Sequence, residues 1–264
     1  MPIATDQGAQ LGSFTHASVR TGTRAMGDAP NVASNRLLAA LPREIVQRWL
    51  PRLEPVHMKL GAVVYEPGET LTHVYFPTTA LVSLLHVLKD GSMAEIAIVG
   101  NDGLVGVALF MGGLATSTRG VVQGEGHAFR FDRALIQSEF EQGGSVMHLL
   151  LRYTQALISQ MTQTAVCNRH HRIEQQLSRW LLLSLDRVSG PDVSMTQELI
   201  SNMLGVRREG VTEAASKLQR KGVIRYSRGH ITVLDRKALE RCACECYEVV
   251  NTEYQRLLPR GVAS

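Results

Sequence analysis

The stretch "GVRREGVTEAASKLQRKG", from Gly205 to Gly222, is crowded with charge at helical spacing. Arg207, Arg208 and Glu209 stand near its start, and Lys217, Arg220 and Lys221 close it. As a helix it would gather Arg207, Arg208, Glu209, Thr212 and Glu213 at its N-terminal end. These side chains suit the reading of base edges: Arg can donate two hydrogen bonds to guanine, and Glu can accept one from cytosine N4. Lys217, Arg225 and Arg228 suit phosphates. From Thr196 to Lys237 there are nine Lys/Arg against four Asp/Glu, an excess that more than accounts for the net charge of +4. Such local asymmetry suggests a polyanionic partner, with a solvated basic face as the plainer alternative.

The remaining reactive side chains point to no other chemistry. Cys167, Cys242, Cys244 and Cys246 are too few and too unevenly placed for a secreted disulfide framework. On a helix Cys242 and Cys246 share a face and Cys244 lies roughly opposite, so the three are not expected to converge on one metal. Ordinary packing is the leading reading of these thiols, and a thiol or metal sensor the alternative. His170 and His171 can titrate near neutral pH and read as a solvated hinge pair. There is no haem or zinc constellation, nucleophile motif, phosphate loop or dinucleotide fingerprint. The expectation is therefore a chain with no metal, no cofactor and no enzymatic activity.

A chain of 264 residues suggests about two domains. Residues 1–34 read as a disordered tail, and the first thirty lack a continuous apolar core of signal-peptide length. The longest apolar runs are too short to span a bilayer, so a soluble, cytoplasmic protein with no membrane partner is expected. Residues 35–142 begin with helical spacing and then change to short β-rich runs, separated by turns such as Pro67-Gly68, Asp90-Gly91 and Asp102-Gly103. That texture predicts an antiparallel sandwich or barrel, within an α+β fold. Over 143–170, Met147, Leu151, Thr154, Ile158, Met161 and Ala165 recur at spacings of four and three, close to a coiled-coil seam. Residues 171–264 open with a helix carrying Ile173, Leu177, Trp180, Leu181 and Leu185 on one face. A helix–turn–helix follows. Ser194 or Thr196 caps its first helix, Gly205 makes the turn, and a second helix runs from about Arg207 to Lys221, ended by Gly222. A hairpin turning at Arg228-Gly229 makes a wing, and the tail adds a further helix with Leu239, Cys242, Cys246, Val249 and Val250 as its buried side.

With "TQELISNMLGVRREGVTEAASKLQRKGVI", "RIEQQLSRWLL" and "PGETLTHVYFPTTALVSL" all present, the chain resembles the Crp/Fnr family of bacterial transcription regulators from about Asn35 to Lys237. The resemblance implies a jelly-roll-like β-roll of the cyclic-nucleotide-binding type, a long dimerisation helix and a C-terminal winged helix–turn–helix. It also implies a homodimer on an inverted repeat of double-stranded DNA, with RNA polymerase as a protein partner. By position, Arg208 and Glu209 correspond to the family's base-reading pair, and Thr196 to a phosphate contact. Glu213 stands where the family carries a base-reading Arg, so a changed half-site is expected.

The family's phosphate cassette is altered. Gly106 matches its Gly, Val107 stands at its Glu, Ser117 and Thr118 stand about where Arg-Ser/Thr should be, and Arg119 is one place late. A one-residue slip on a strand turns a side chain to the other face, and a buried phosphate without a cation loses its main compensation. A regulator that does not depend on cAMP is expected. The roll then serves as a scaffold, binds a more apolar effector, or senses something elsewhere; a small-molecule sensor acting on a protein partner is the rival reading. Iron–sulfur members of the family use cysteines near the N-terminus. None occurs here before Cys167, so no such cluster is expected.

Overall fold

β-Branched and aromatic residues between Glu54 and Asp132 fold as seven antiparallel strands in a computed structural model, which describes residues 31–188, 192–227 and 229–258. They are β1 (Glu54–Met58), β2 (Val63–Tyr65), β3 (His73–Pro77), β4 (Leu81–Val87), β5 (Met93–Val99), β6 (Thr118–Gly124) and β7 (Gly126–Asp132). β1, β7 and β3 pair in that order in one sheet, and β2, β6, β4 and β5 in a second. Apolar side chains of both sheets, among them Val56, Met58, Phe76, Val82, Ile98 and Val122, share one core.

Residues 1–30 of the expected tail lie outside the described residues, and Val32–Ser34 is a turn of 3-10 helix. Asn35, fully buried, caps α1 (Arg36–Ala39) by accepting from the amides of Leu37 and Leu38. Its own amide donates to the carbonyls of Pro77 and Gly103, both at 2.8 Å. α2 (Arg43–Trp49) starts after Pro42 and carries Trp49 onto Phe131, with ring centroids 4.5 Å apart.

α3 (Arg133–Glu141) leads into α4 (Gly144–His170), whose 27 residues span roughly 40 Å. One face of α4 is buried through Leu149, Leu150, Tyr153, Ala156, Leu157 and Gln160. Tyr153 donates to the carbonyl of Leu104 at 2.8 Å. Gly103 permits this approach, since a Cβ there would lie 2.5 Å from the Tyr153 hydroxyl. The predicted seam is split: Thr154 is buried and back-bonds to the Leu150 carbonyl, whereas Leu151 and Ile158 are 46% and 54% exposed.

α5 (Ile173–Leu185) is buried continuously from Gln176 to Ser184 and not along one stripe alone. That is the behaviour of a helix enclosed by others. Around it lie α6 (Gln197–Leu204), α7 (Arg208–Arg220), α8 (Arg236–Cys242) and α9 (Cys246–Leu257). The wing has three strands, β8 (Asp192–Ser194), β10 (His230–Val233) and β9 (Ile224–Ser227), in that order. Sequence texture marked only a chain break near β8, because three residues are too short to show alternation. No helix among the described residues is long and apolar enough to cross a membrane.

Glu95 on β5 is buried and receives a hydrogen bond from Ser83. Burial pushes its carboxyl up to about 7, against smaller downward pulls from hydrogen bonding and the nearby Arg179 and Arg187. The folded chain therefore holds a proton that the unfolded chain releases above its ordinary value of 4.5. The stability this provides is complete below that value and declines until pH reaches about 7. Urea unfolding at pH 5 and pH 8 should differ by up to about 3 kcal/mol from this group. Glu95→Gln should remove that part of the slope; an unchanged slope would assign the titration elsewhere.

Candidate nucleic-acid interface

Thr196 ends the extended segment after β8 and caps α6, its hydroxyl accepting from the Leu199 amide at 3.2 Å. Gly205 closes α6 at φ 64°, a left-handed conformation that glycine adopts without a Cβ penalty. α7 then buries Val211, Ala214, Ala215 and Leu218 and turns its charged side outward. The two alanines and Gly210 keep this face low; a Cβ on Gly210 would meet Ile173 of α5 at 2.6 Å. The wing is tied back by the Tyr226 hydroxyl, which donates to the Met195 carbonyl at 3.0 Å, and by Gln219, which accepts from the Tyr226 amide.

Arg208, Glu209, Thr212 and Glu213 on the first two turns of α7 are all exposed, as is Arg207 just before it. Arg207 is the residue preceding the helix, and the free amides of the first turn add a positive end to the surface. Thr212 donates to Gln197 at 3.1 Å. Glu213 pairs with Lys217 at 2.7 Å, and the hydrogen bond from Lys217 holds its carboxyl below the usual range. The pair is exposed to solvent, which screens it. Arg228 lies outside the described residues. Gln197 and Tyr226 are not among the DNA contacts expected from the sequence; with Thr196 and Arg208 they line a cleft between the helix pair and the wing. Only the fold brings Tyr226 of the wing to Gln197.

In the roll, the cassette residues form two separate groups. Gly106 stands at φ 106° before a 3-10 turn that begins at Val107, and a Cβ on it would lie 3.3 Å from the His73 carbonyl. Ser117 is exposed, while Thr118 is buried and shares a 3.3 Å hydrogen bond with Tyr65. Tyr65 is the pairing partner of Gly120, so its ring lies on the Thr118 side of β6. Arg119 takes the opposite side, where it bonds Glu66 at 2.6 Å and lies 3.7 Å from the sulfur of Met93. No hydrogen bond or ion pair joins the Gly106 group to the Thr118 group among the described residues.

The expectation of a chain without a metal or cofactor site is overturned at the cysteines. The tail is two helices, not one. α8 ends at Cys242, Ala243 is extended, and α9 starts at Cys246. The helical-wheel separation of Cys244 from Cys246 therefore does not apply. The break brings Cys244 and Cys246 against Cys167 at the end of α4, beside His171, with all four ligand atoms within 4.8 Å of one another. This set can hold a metal ion. Cys242 is not part of it. His170 is exposed as expected, whereas His171 is largely covered and sits 3.4 Å from the Cys246 sulfur. The hydrogen bond from Cys167 holds Cys244 down at about 5, and the same bond pushes the Cys167 thiol up.

Residues 175–242, from α5 through α8, match the family model of the Crp-like helix-turn-helix domain. No curated protein matches the chain in sequence. Among solved structures, FixK2 from Bradyrhizobium japonicum is similar at 17% identity and a TM-score of 0.61, covering 73% of this chain and 98% of its own. A CRP-family transcriptional regulator from Thermus thermophilus aligns at 19% identity and a TM-score of 0.60, over 72% of this chain and 96% of its own. The c-di-GMP-responsive global regulator CLP of Xanthomonas campestris aligns at 14% identity and a TM-score of 0.58, over 74% and 100%.

Because Thr196 caps α6 at the edge of this surface, Thr196→Ala should cost about 1 kcal/mol of stability. Thr196→Ser should restore it, since either hydroxyl can accept from the Leu199 amide. Chemical unfolding of the three proteins checks this, and equal midpoints for Ala and Ser would remove the capping role.

Proposed function

We propose that this chain, whose residues 175–242 match the Crp-like helix-turn-helix domain, is a Crp/Fnr-type DNA-binding transcription regulator, a homodimer that reads an inverted repeat without requiring cAMP. The observation that carries this reading is the outward first turn of α7. Arg207, Arg208 and Glu209 project there from a helix whose inner side is anchored on α5. A helix of this width enters a major groove with its N-terminal residues at base edges. Arg208 and Glu209 are assigned to bases, Arg207 and Lys217 to phosphates, and Thr196 to the backbone beside them. Glu213 meets DNA already paired with Lys217, which favours a half-site different from that read by an Arg at this position. RNA polymerase is the protein partner that the resemblance supplies.

Pairing of two chains is supported by α4. One face of this helix is spent on its own roll, while Leu151, Ile158 and Val166 remain 46%, 54% and 45% exposed along the other. An apolar row of this kind is spaced for a second helix. Independence from cAMP is supported by Arg119, which is engaged with Glu66 on the opposite side of β6 from Thr118. A cyclic phosphate beside Thr118 would have no arginine to neutralise it.

Selection from a random duplex library, with reduced protein and no effector, tests the whole reading. Enrichment of one inverted repeat is expected. A folded dimer that enriches nothing would defeat the effector-free reading. Arg208→Ala should lose about 1–3 kcal/mol of binding and relax preference at one base pair. Uniform weakening on every sequence would make Arg208 a phosphate contact. Ile158→Glu should shift sedimentation towards a monomer and abolish binding to the full repeat; an unshifted dimer would place the interface elsewhere.

A further inference from the structure

We propose that Cys167, His171, Cys244 and Cys246 bind one soft divalent metal ion of the zinc class in a tetrahedral site of three sulfurs and one nitrogen. The Cys167 and Cys244 sulfurs are 3.5 Å apart, and the Cys246 sulfur is 3.4 Å from His171 Nδ1. A tetrahedron with metal–sulfur bonds of about 2.3 Å has sulfur–sulfur edges of about 3.8 Å, so these separations are close to those of a single ion's ligands. An iron–sulfur cube holds its thiolates farther apart than the 4.8 Å that bounds this set. Thiolate and imidazole donors together select zinc-like ions over the hard cations that prefer oxygen.

The surroundings are those of a built site. His171 turns Nδ1 to the thiols and has Nε2 3.3 Å from the Glu245 carboxylate. A ligating histidine commonly has this carboxylate partner, which fixes its tautomer and ring orientation. Gln163 donates to the Cys246 sulfur at 3.1 Å, and such a bond stabilises a thiolate. Arg179, buried and with its Nε unpaired, supplies positive charge near Cys167 that offsets the net negative charge of three thiolates around a divalent ion. Three of the four ligands are buried and come from segments far apart in sequence, so the arrangement exists only in the folded chain. Binding releases the thiol protons to solvent and changes no oxidation state.

His171 is the first of the two residues between α4 and α5, Cys246 opens α9 and Cys244 stands two residues before it. An ion here would fasten the tail to the point where the long helix turns into the reader. A consequence for DNA binding rests on the proposed function; the site itself does not.

The full-length protein, stripped of metal and reduced, should be titrated with cobalt(II) as the probe. One equivalent should give a thiolate-to-cobalt charge-transfer band with the strong visible absorption of tetrahedral cobalt, and one equivalent of zinc should bleach both. Cys244→Ser and His171→Gln should lose this spectrum while retaining the circular dichroism of the wild type. Glu245→Gln should weaken affinity about 10- to 100-fold. Cys242→Ser should titrate as the wild type. Absence of the bands in folded wild-type protein would overturn the site, as would their survival in Cys244→Ser or their loss in Cys242→Ser. Protein that takes up iron with acid-labile sulfide but no single cobalt ion would overturn it in favour of a cluster. None of these readouts involves DNA, so failure of the metal site is distinguishable from failure of the regulator reading.

Discussion

The buried ion pair between Arg187 and Asp102 is the contact around which the molecule is arranged. Their 2.8 Å bond joins the loop after β5 to the end of α5, with side chains only 3% and 9% exposed. Arg187 also donates to Gln160 of α4 and to the Leu183 carbonyl, and its guanidinium lies 5.1 Å above the ring of Tyr254 in α9. Tyr254 donates to the same Gln160 oxygen at 2.9 Å. Roll, long helix, reader and tail thus meet at one cation. A charge so far from water needs its partner, and removing one member of such a pair costs about 3–5 kcal/mol. Gly100 belongs to this arrangement, because a Cβ there would lie 2.5 Å from Arg187 Cβ.

From that anchor the reader is built outwards. α5 is enclosed, so it transmits position from α4 to α7 without a solvent-facing side of its own. Small residues on the inner face of α7 bring the two helices close, and the charged residues of its first turn follow as its outer side. α6 packs in turn on β5 of the roll, with Gly205 near Ala94. The charged surface at the start of α7 is therefore held on both flanks by hydrophobic contacts. Its charge pattern is local, but its orientation is a property of the whole chain.

Periodicity and turn chemistry carried most of the fold. Gly205 and Gly222 stand at left-handed positions at the helix ends, and the run without Pro or Gly after Ser145 is a helix. The charged residues at the start of α7 were legible as one exposed group because neighbouring residues on one helix are placed by that helix alone. What failed was convergence between distant segments. The cysteine spacing in the tail is helical on paper, yet α8 stops at Cys242 to dock on α5, and the three residues after it aim Cys244 at Cys167, 77 positions earlier. Gln160, Asp102, Arg187 and Tyr254 were invisible for the same reason. Each looks like an ordinary polar residue until its partners arrive from other parts of the chain.

The docking of α9 on α4 has a consequence for how the molecule comes into being. Gln163 reaches Cys246 and Gln160 reaches Tyr254, so the long helix is completed by residues 83 and 94 positions later. Contacts at such separations carry a loop-closure cost before they return any stabilisation. During synthesis the β-roll can assemble from its own strands, but α4 then waits with an uncovered flank until α9 is made. α9 is the closing piece of the long helix, and a ribosome stalled shortly before it would leave a formed roll beside an unfinished α4.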